Sequence, residues 1–150
     1  MLKRTGFKRK TALKPSVKKT VRKKRKVKTP MQKAKAQLWQ ECRRITFASH
    51  GDTCYTCYAQ DLMGSNKQCG HFLPSSVCSV ALRYDLRNLR PQCMRCNINL
   101  SGNWIEYEKH LIRDLGEQIV ATLKSENEQT KNKQYDILWY LATIDTYKKL

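Results

Sequence analysis

The spacing of apolar positions predicts helices toward both ends of the chain and an irregular centre. Over residues 31–49, Leu38, Trp39, Cys42, Ile45 and Phe47 form an apolar stripe broken by Gln37, Gln40 and Arg43, the period of a one-sided helix. Thr29 stands at the N-cap position and Pro30 at the first helical position, and Gly51 ends the segment. Residues 52–96 keep no helical period. Strand-like pieces fall at 68–73 and 82–89, with Pro74-Ser75-Ser76 leading away from the first. A helix is expected from about Met94, carrying Asn97 and Leu100, with a break at Ser101-Gly102-Asn103. Residues 104–124 predict a further helix with Ile105, Leu111, Leu115, Ile119, Val120 and Leu123 inward, and residues 125–133 a polar loop. Residues 134–149 predict a last helix on Tyr135, Leu138, Trp139, Leu141, Ala142, Ile144 and Tyr147. There is no internal repeat.

These elements make an α+β chain whose 150 residues suffice for one domain. The charge divides it differently. Of the 30 Lys and Arg, residues 1–30 hold 14 and none of the 12 acidic residues, so most of the net charge of +18 sits in one arm. Runs such as Arg22-Lys23-Lys24-Arg25-Lys26 repel themselves and offer nothing to bury, which predicts a disordered basic arm ahead of a body at 31–150. The arm's partner is a polyanion. No apolar run nears the roughly 18 residues that span a bilayer, no apolar signal core follows the basic start, and the arm lacks an apolar face for a membrane surface. Nucleic acid is the expected partner and the cytoplasm (the host's, if a phage encodes the chain) the expected compartment. A purely solubilising arm is the plainer alternative.

Seven cysteines, an odd number, argue against a disulfide framework. Four fall in two pairs, Cys54-Tyr-Thr-Cys57 and Cys93-Met-Arg-Cys96, and two such pairs suit a tetrahedral structural zinc. The centre buries little by itself, so an ion would organise it. Cys54, Cys57, Cys69 and His71 make a second possible ligand set, which would leave Cys93 and Cys96 without a role. A redox pair lacks the surrounding βαβ pattern.

The segment Cys69-Gly-His71-Phe-Leu-Pro, followed by Arg83-Tyr-Asp85-Leu-Arg-Asn88-Leu-Arg-Pro-Gln-Cys93-Met-Arg-Cys96-Asn97, resembles the HNH motif. The helical lead-in at 33–44 and Ser101-Gly102-Asn103 extend the likeness over residues 31–120 to the NinG/Rap recombination proteins of lambdoid phages. The resemblance implies a ββα-metal finger at about 52–103 with a structural zinc, helices at about 104–149, and a metal-dependent DNA endonuclease acting on branched intermediates such as Holliday junctions. In it His71 is the general base, Asn88 orients it through nearby backbone, and Asn97 helps hold magnesium or manganese. The family commonly places Asp or His before the base as a second ligand of that ion. Here Gly70 stands there, with Asp85 or Ser101 as substitutes, and Asp85 can equally pair with Arg83 or Arg87.

Arg83, Arg87, Arg90 and Arg95, with Lys23, Lys24, Arg25 and Lys26 of the arm, are the candidate phosphate contacts. Trp104 and Tyr107 either stack on unpaired bases or pack in the core. Two cuts across a symmetric junction would suit a homodimer. A non-catalytic zinc module that binds or anneals nucleic acid, and a site-specific nicking enzyme, are the alternatives to the junction nuclease.

Overall fold

A computed structural model describes residues 27–150. The basic run Lys23-Lys24-Arg25-Lys26 and the expected disorder of the arm therefore lie outside the described residues.

Helix α1 spans Pro30–His50. Thr29 Oγ1 accepts from the Gln32 backbone at 3.2 Å while Gln32 Oε1 accepts from the Thr29 backbone at 3.0 Å, a reciprocal cap that uses two otherwise orphaned N–H groups. Gly51 closes the helix at a φ of 69°, a conformation that costs a residue without Cβ little. Ala34, Leu38, Cys42 and Ile45 are the buried side of α1, and Trp39 and Phe47 flank it half-buried.

Two strands, β1 (Gln68–His71) and β2 (Leu89–Gln92), pair antiparallel, with Gly70 opposite Arg90 and His71 opposite Leu89. Cys69 and Leu89 face α1 and the final helix, where Tyr84, Tyr140 and Ile144 complete one core. On the other side, Phe72, Leu82, Tyr107, Leu111, Val120 and Leu123 form a second core, and the Tyr107 hydroxyl lies 3.4 Å from both the Gly70 and Asn88 carbonyls. The short sheet is thereby held between helices that supply the apolar area it lacks.

The connection between the strands differs from expectation. Residues 82–89 are not a strand: helix α2 (Val80–Arg83) and a 3₁₀ turn (Leu86–Asn88) precede β2, which begins at Leu89. Leu82, Tyr84, Leu86 and Asn88 alternate every second residue and imitate strand periodicity. Local caps decide otherwise, Ser79 Oγ accepting from Leu82 N at 3.3 Å and Asp85 Oδ1 from Arg87 N at 2.8 Å.

After β2, Arg95–Asn99 forms one π-helical turn carrying Cys96 and Asn97. Ser101, Gly102 and Asn103 all take positive φ (50°, 91° and 47°) and break it from α3 (Trp104–Leu115). The single helix expected over 104–124 is two. Gly116, at a φ of 86°, separates α3 from α4 (Glu117–Thr130), and α4 runs through most of the expected 125–133 loop. It persists because Asn127 is buried and its Oδ1 accepts from Ser79 N at 2.8 Å. Helix α5 (Ile137–Lys148) starts at an Asp136 cap and packs against α1. Its inward residues are Tyr140 and Ile144, while Leu138 and Leu141 face out, as do Ile105 and Ile119 of the earlier helices.

Candidate functional site

The four paired cysteines converge. The Sγ atoms of Cys54, Cys57, Cys93 and Cys96 all lie within 4.8 Å of one another, and Cys57 and Cys93 stand 3.7 Å apart. Tetrahedral coordination at about 2.3 Å per thiolate separates sulfurs by about 3.8 Å, so the cluster fits one ion. Backbone N–H groups already point at sulfur, Cys93 N to Cys54 Sγ at 3.3 Å and Cys96 N to Cys93 Sγ at 3.4 Å. Burial would raise the Cys54 thiol, but hydrogen bonds from the Cys93 N–H, the Thr56 hydroxyl and the Cys57 and Thr56 N–H groups together outweigh it and bring it down to about 6. The rival set does not assemble: Cys69 belongs to the core beneath α1 and His71 stacks on Trp39. Cys42 and Cys69 are core thiols that burial pushes up to about 12 and about 11.

His71 ends β1 at the mouth of a cleft of about 570 Å³ shared with Trp39, Cys69, Pro74, Ser75, Ser76, Asn97, Ser101 and Gly102. Two contacts fix its ring. Trp39 stacks on it at 5.2 Å between centroids and 6° between planes. Its Nε2 lies 3.0 Å from the Arg83 carbonyl. A carbonyl only accepts, so Nε2 carries the hydrogen and the neutral ring keeps a bare Nδ1. Burial, with the Arg83 guanidinium second to it in the same direction, holds the imidazole below its usual 6.5, so it is neutral at physiological pH.

Asn88 is fully buried behind this arrangement. Its Oδ1 accepts from Leu73 N at 2.7 Å, and its Nδ2 donates to the carbonyls of Leu82 at 2.9 Å and Leu73 at 3.3 Å. One amide thus ties the chain two residues after His71 to the residue before Arg83, whose carbonyl holds the ring. Asn97 reaches the cleft from the π turn. Its Nδ2 donates to Gln68 Oε1 at 2.7 Å, which leaves Oδ1 as its remaining acceptor.

The structure explains Gly70. A Cβ there would run into Gln92 Oε1 and approach Gln92 Cδ to 2.7 Å. Gln92 is buried and anchored, its Nε2 donating to Thr56 Oγ1 at 3.2 Å and Gly102 O at 2.7 Å. The Thr56 hydroxyl in turn lies 3.5 Å from Cys54 Sγ, so Gln92 links the cysteine cluster to the cleft.

Other expected residues fall elsewhere. Asp85 is taken up by Arg87, with contacts of 2.6–3.1 Å, and is absent from the cleft's lining, so it does not replace the side chain missing at Gly70. Arg87 also binds Glu126 at 2.7 Å. Arg90, 4% exposed, is spent on the carbonyls of Leu86 and Leu89 beneath the Tyr55 ring and is not presented to phosphate. Arg83 borders the His71 side of the cleft, and Arg95 is exposed. Tyr107 is core, whereas Trp104 is 58% exposed on α3. The sequence reading placed Trp39 in the core and overlooked Gln92. The helical spacing of Trp39 and Arg43, one turn apart and partly outside the buried stripe, was a usable signal; Gln92 gave none.

The family description of the bacteriophage lambda NinG protein matches residues 2–150. The chain belongs to the NinG family. The ninG protein of Escherichia phage 933W is 30% identical over 76 residues, 51% of this chain and 36% of that one. That of Enterobacteria phage H19B is 33% identical over 60 residues, 40% and 29% of the two chains. That of Escherichia phage lambda is 29% identical over 76 residues, 51% and 36%. The chain spans little more than a third of the length of the 933W relative, at 36%. No solved structure matches it. Among the described residues no helix of this NinG-family chain is long and apolar enough to cross a membrane.

Proposed function

We propose that this NinG-family protein is an HNH-type endonuclease that hydrolyses phosphodiester bonds in branched DNA, with a zinc ion in the four-cysteine cluster. The observation that carries the reading is the setting of His71, which is pinned by Trp39 and by an Nε2 contact to the Arg83 carbonyl that leaves Nδ1 as the free nitrogen of a neutral ring, and which lines a cleft that also receives Asn97. Such a nitrogen can take the proton from a water as its oxygen bonds to phosphorus and the P–O bond to the departing strand breaks. Asn88 is a positioning residue, since it touches only the backbone around the base.

The cleft lining supplies an amide oxygen from Asn97 and a hydroxyl from Ser101 but no carboxylate. Magnesium is ordinarily held by one or two carboxylates together with substrate phosphate oxygens, so with these neutral donors alone an ion here would lean on the substrate. Asn97 would hold the ion, and when bound it would stabilise charge on phosphorus and on the departing oxygen. The same lack of a carboxylate favours a second reading, a zinc module that binds nucleic acid without cutting it.

A labelled four-way junction incubated with magnesium or manganese separates the two. Nicks from the wild type, none from His71→Ala, and unchanged zinc content and melting temperature in that variant support the enzyme. Binding without nicks in either metal leaves only the module. Cys93→Ser should lose zinc and loosen the small cluster of Cys54, Leu62 and Cys96, which has no other centre, while the two helix-built cores persist.

A further inference from the structure

Three clefts meet along α1 and form one groove. The His71–Asn97 cleft shares Trp39 and His71 with one of about 480 Å³ lined by Ser75, Ser76, Arg83 and Tyr84. On its other side it shares Trp39, Cys69 and Asn97 with one of about 400 Å³ lined by Arg43, Ser65, Lys67 and Gln68. No acidic residue lines any of the three. Arg83 stands at one end, Arg43 and Lys67 at the other, and the imidazole between them.

The charges at the ends are compensated unequally from within. The Arg83 guanidinium donates to the Ser75 carbonyl, but its Nε is buried with no partner. Arg43 lies over the Phe47 ring at 5.3 Å and has no acidic partner among the described residues. Lys67 pairs with Asp52, which stands outside the groove's lining, and its Nζ lies 4.6 Å from the Phe47 ring centroid. A concave surface with cations at both ends and no anion in its walls concentrates positive potential along its length. The Trp39 indole is engaged by the His71 ring and by the core beneath α1, so the groove meets a ligand through charge and not through base stacking.

We propose that this groove is the track of the sugar–phosphate backbone of one nucleic-acid strand, with Arg43 and Lys67 holding phosphates on one side of His71 and Arg83 on the other. It deepens the nucleic-acid reading above but does not depend on cleavage. Phosphate contacts of this kind fix register without reading sequence.

The test is equilibrium binding of a fluorescein-labelled single-stranded oligonucleotide to the zinc-loaded full chain, without added magnesium or manganese, across a salt series. Arg43→Gln and Lys67→Gln should each flatten the slope of log K against log salt by about 0.7 and weaken binding about fivefold at 0.1 M salt. Arg43→Lys keeps the charge and should keep the wild-type slope. Lys131→Gln, an exposed lysine past the end of α4, should leave the slope unchanged. Matched melting temperatures exclude unfolding as the cause. Slopes for Arg43→Gln and Lys67→Gln that equal that of Lys131→Gln would overturn the proposal. A protein with the expected slopes that leaves junctions intact keeps the groove and loses the nuclease. One that cuts while its binding ignores Arg43 and Lys67 does the reverse.

Discussion

Replacing Asn88 by Ala tests the physical claim on which the site depends, that one buried amide ties the chain just after His71 to the residue before Arg83, whose carbonyl supports the ring. The change removes an acceptor for Leu73 N and a donor to the Leu82 and Leu73 carbonyls, in a place with no solvent exposure. Each lost bond is worth about 1 kcal/mol, and a buried group left without a partner costs about 1–3 kcal/mol. The two short bonds dominate, so the loss should be about 3 kcal/mol, a melting-temperature fall of about 10 °C for a chain of this size. Asn88→Asp sharpens the test. Its oxygen can still accept from Leu73 N, but at neutral pH a carboxylate would face the Leu82 carbonyl. Burial raises such a carboxyl, so the folded state binds more protons than the unfolded state and the variant should recover relative to Asn88→Ala as pH falls toward 4. Thermal and urea unfolding of the zinc-loaded chain measure both effects. A loss under about 0.5 kcal/mol for Asn88→Ala, or no acid recovery for Asn88→Asp, would refute the role given to the amide.

Further outcomes can be checked. Because burial holds the His71 imidazole below 6.5, the acid limb of any cleavage rate should have its midpoint below that value; a midpoint above 7 in the rate–pH profile would contradict it. The same shift makes the unfolded state the stronger proton binder below 6.5, so stability should fall as pH drops from 6.5 through the folded value, and His71→Gln should lose that part of the pH dependence of unfolding. Gly70→Ala should cost about 2 kcal/mol by displacing Gln92. In a Gln92→Ala background the cost should shrink, a coupling read from a double-mutant cycle of unfolding free energies.

What the sequence makes legible is what short-range chemistry decides. Thr29, Pro30 and Gln32 write the start of α1 within four residues, and the two cysteine pairs each fix a tight turn. Errors arise where periodicity and local bonding disagree. Leu111, Leu115 and Ile119 keep a spacing of four across Gly116, so the apolar pattern runs straight through a real break. Residues 82–88 alternate like a strand while Ser79 and Asp85 cap them as turns. Arg90 looks like any basic residue in a row of arginines, and only its carbonyl partners and the Tyr55 ring against it decide that it is interior. The Trp39–His71 stack joins residues from α1 and β1, a tertiary fact that no local pattern encodes.

Gly70 shows why the departure from the usual motif is not a defect that a single substitution could mend. The space where a side chain at 70 would begin is filled by Gln92, and Gln92 holds Gly102 and Thr56 in place. Cys93 follows Gln92 directly and Cys96 precedes Asn97, so the geometry of the four-cysteine cluster also sets where the Gln92 carboxamide and the Asn97 amide stand relative to β1. A carboxylate introduced at 70 would compete for the volume that couples the metal cluster to the cleft. It would disturb the placement of Asn97 before it could offer an oxygen to a cation. A side chain at 70 and the Gln92 brace between the cysteine cluster and the cleft therefore exclude one another.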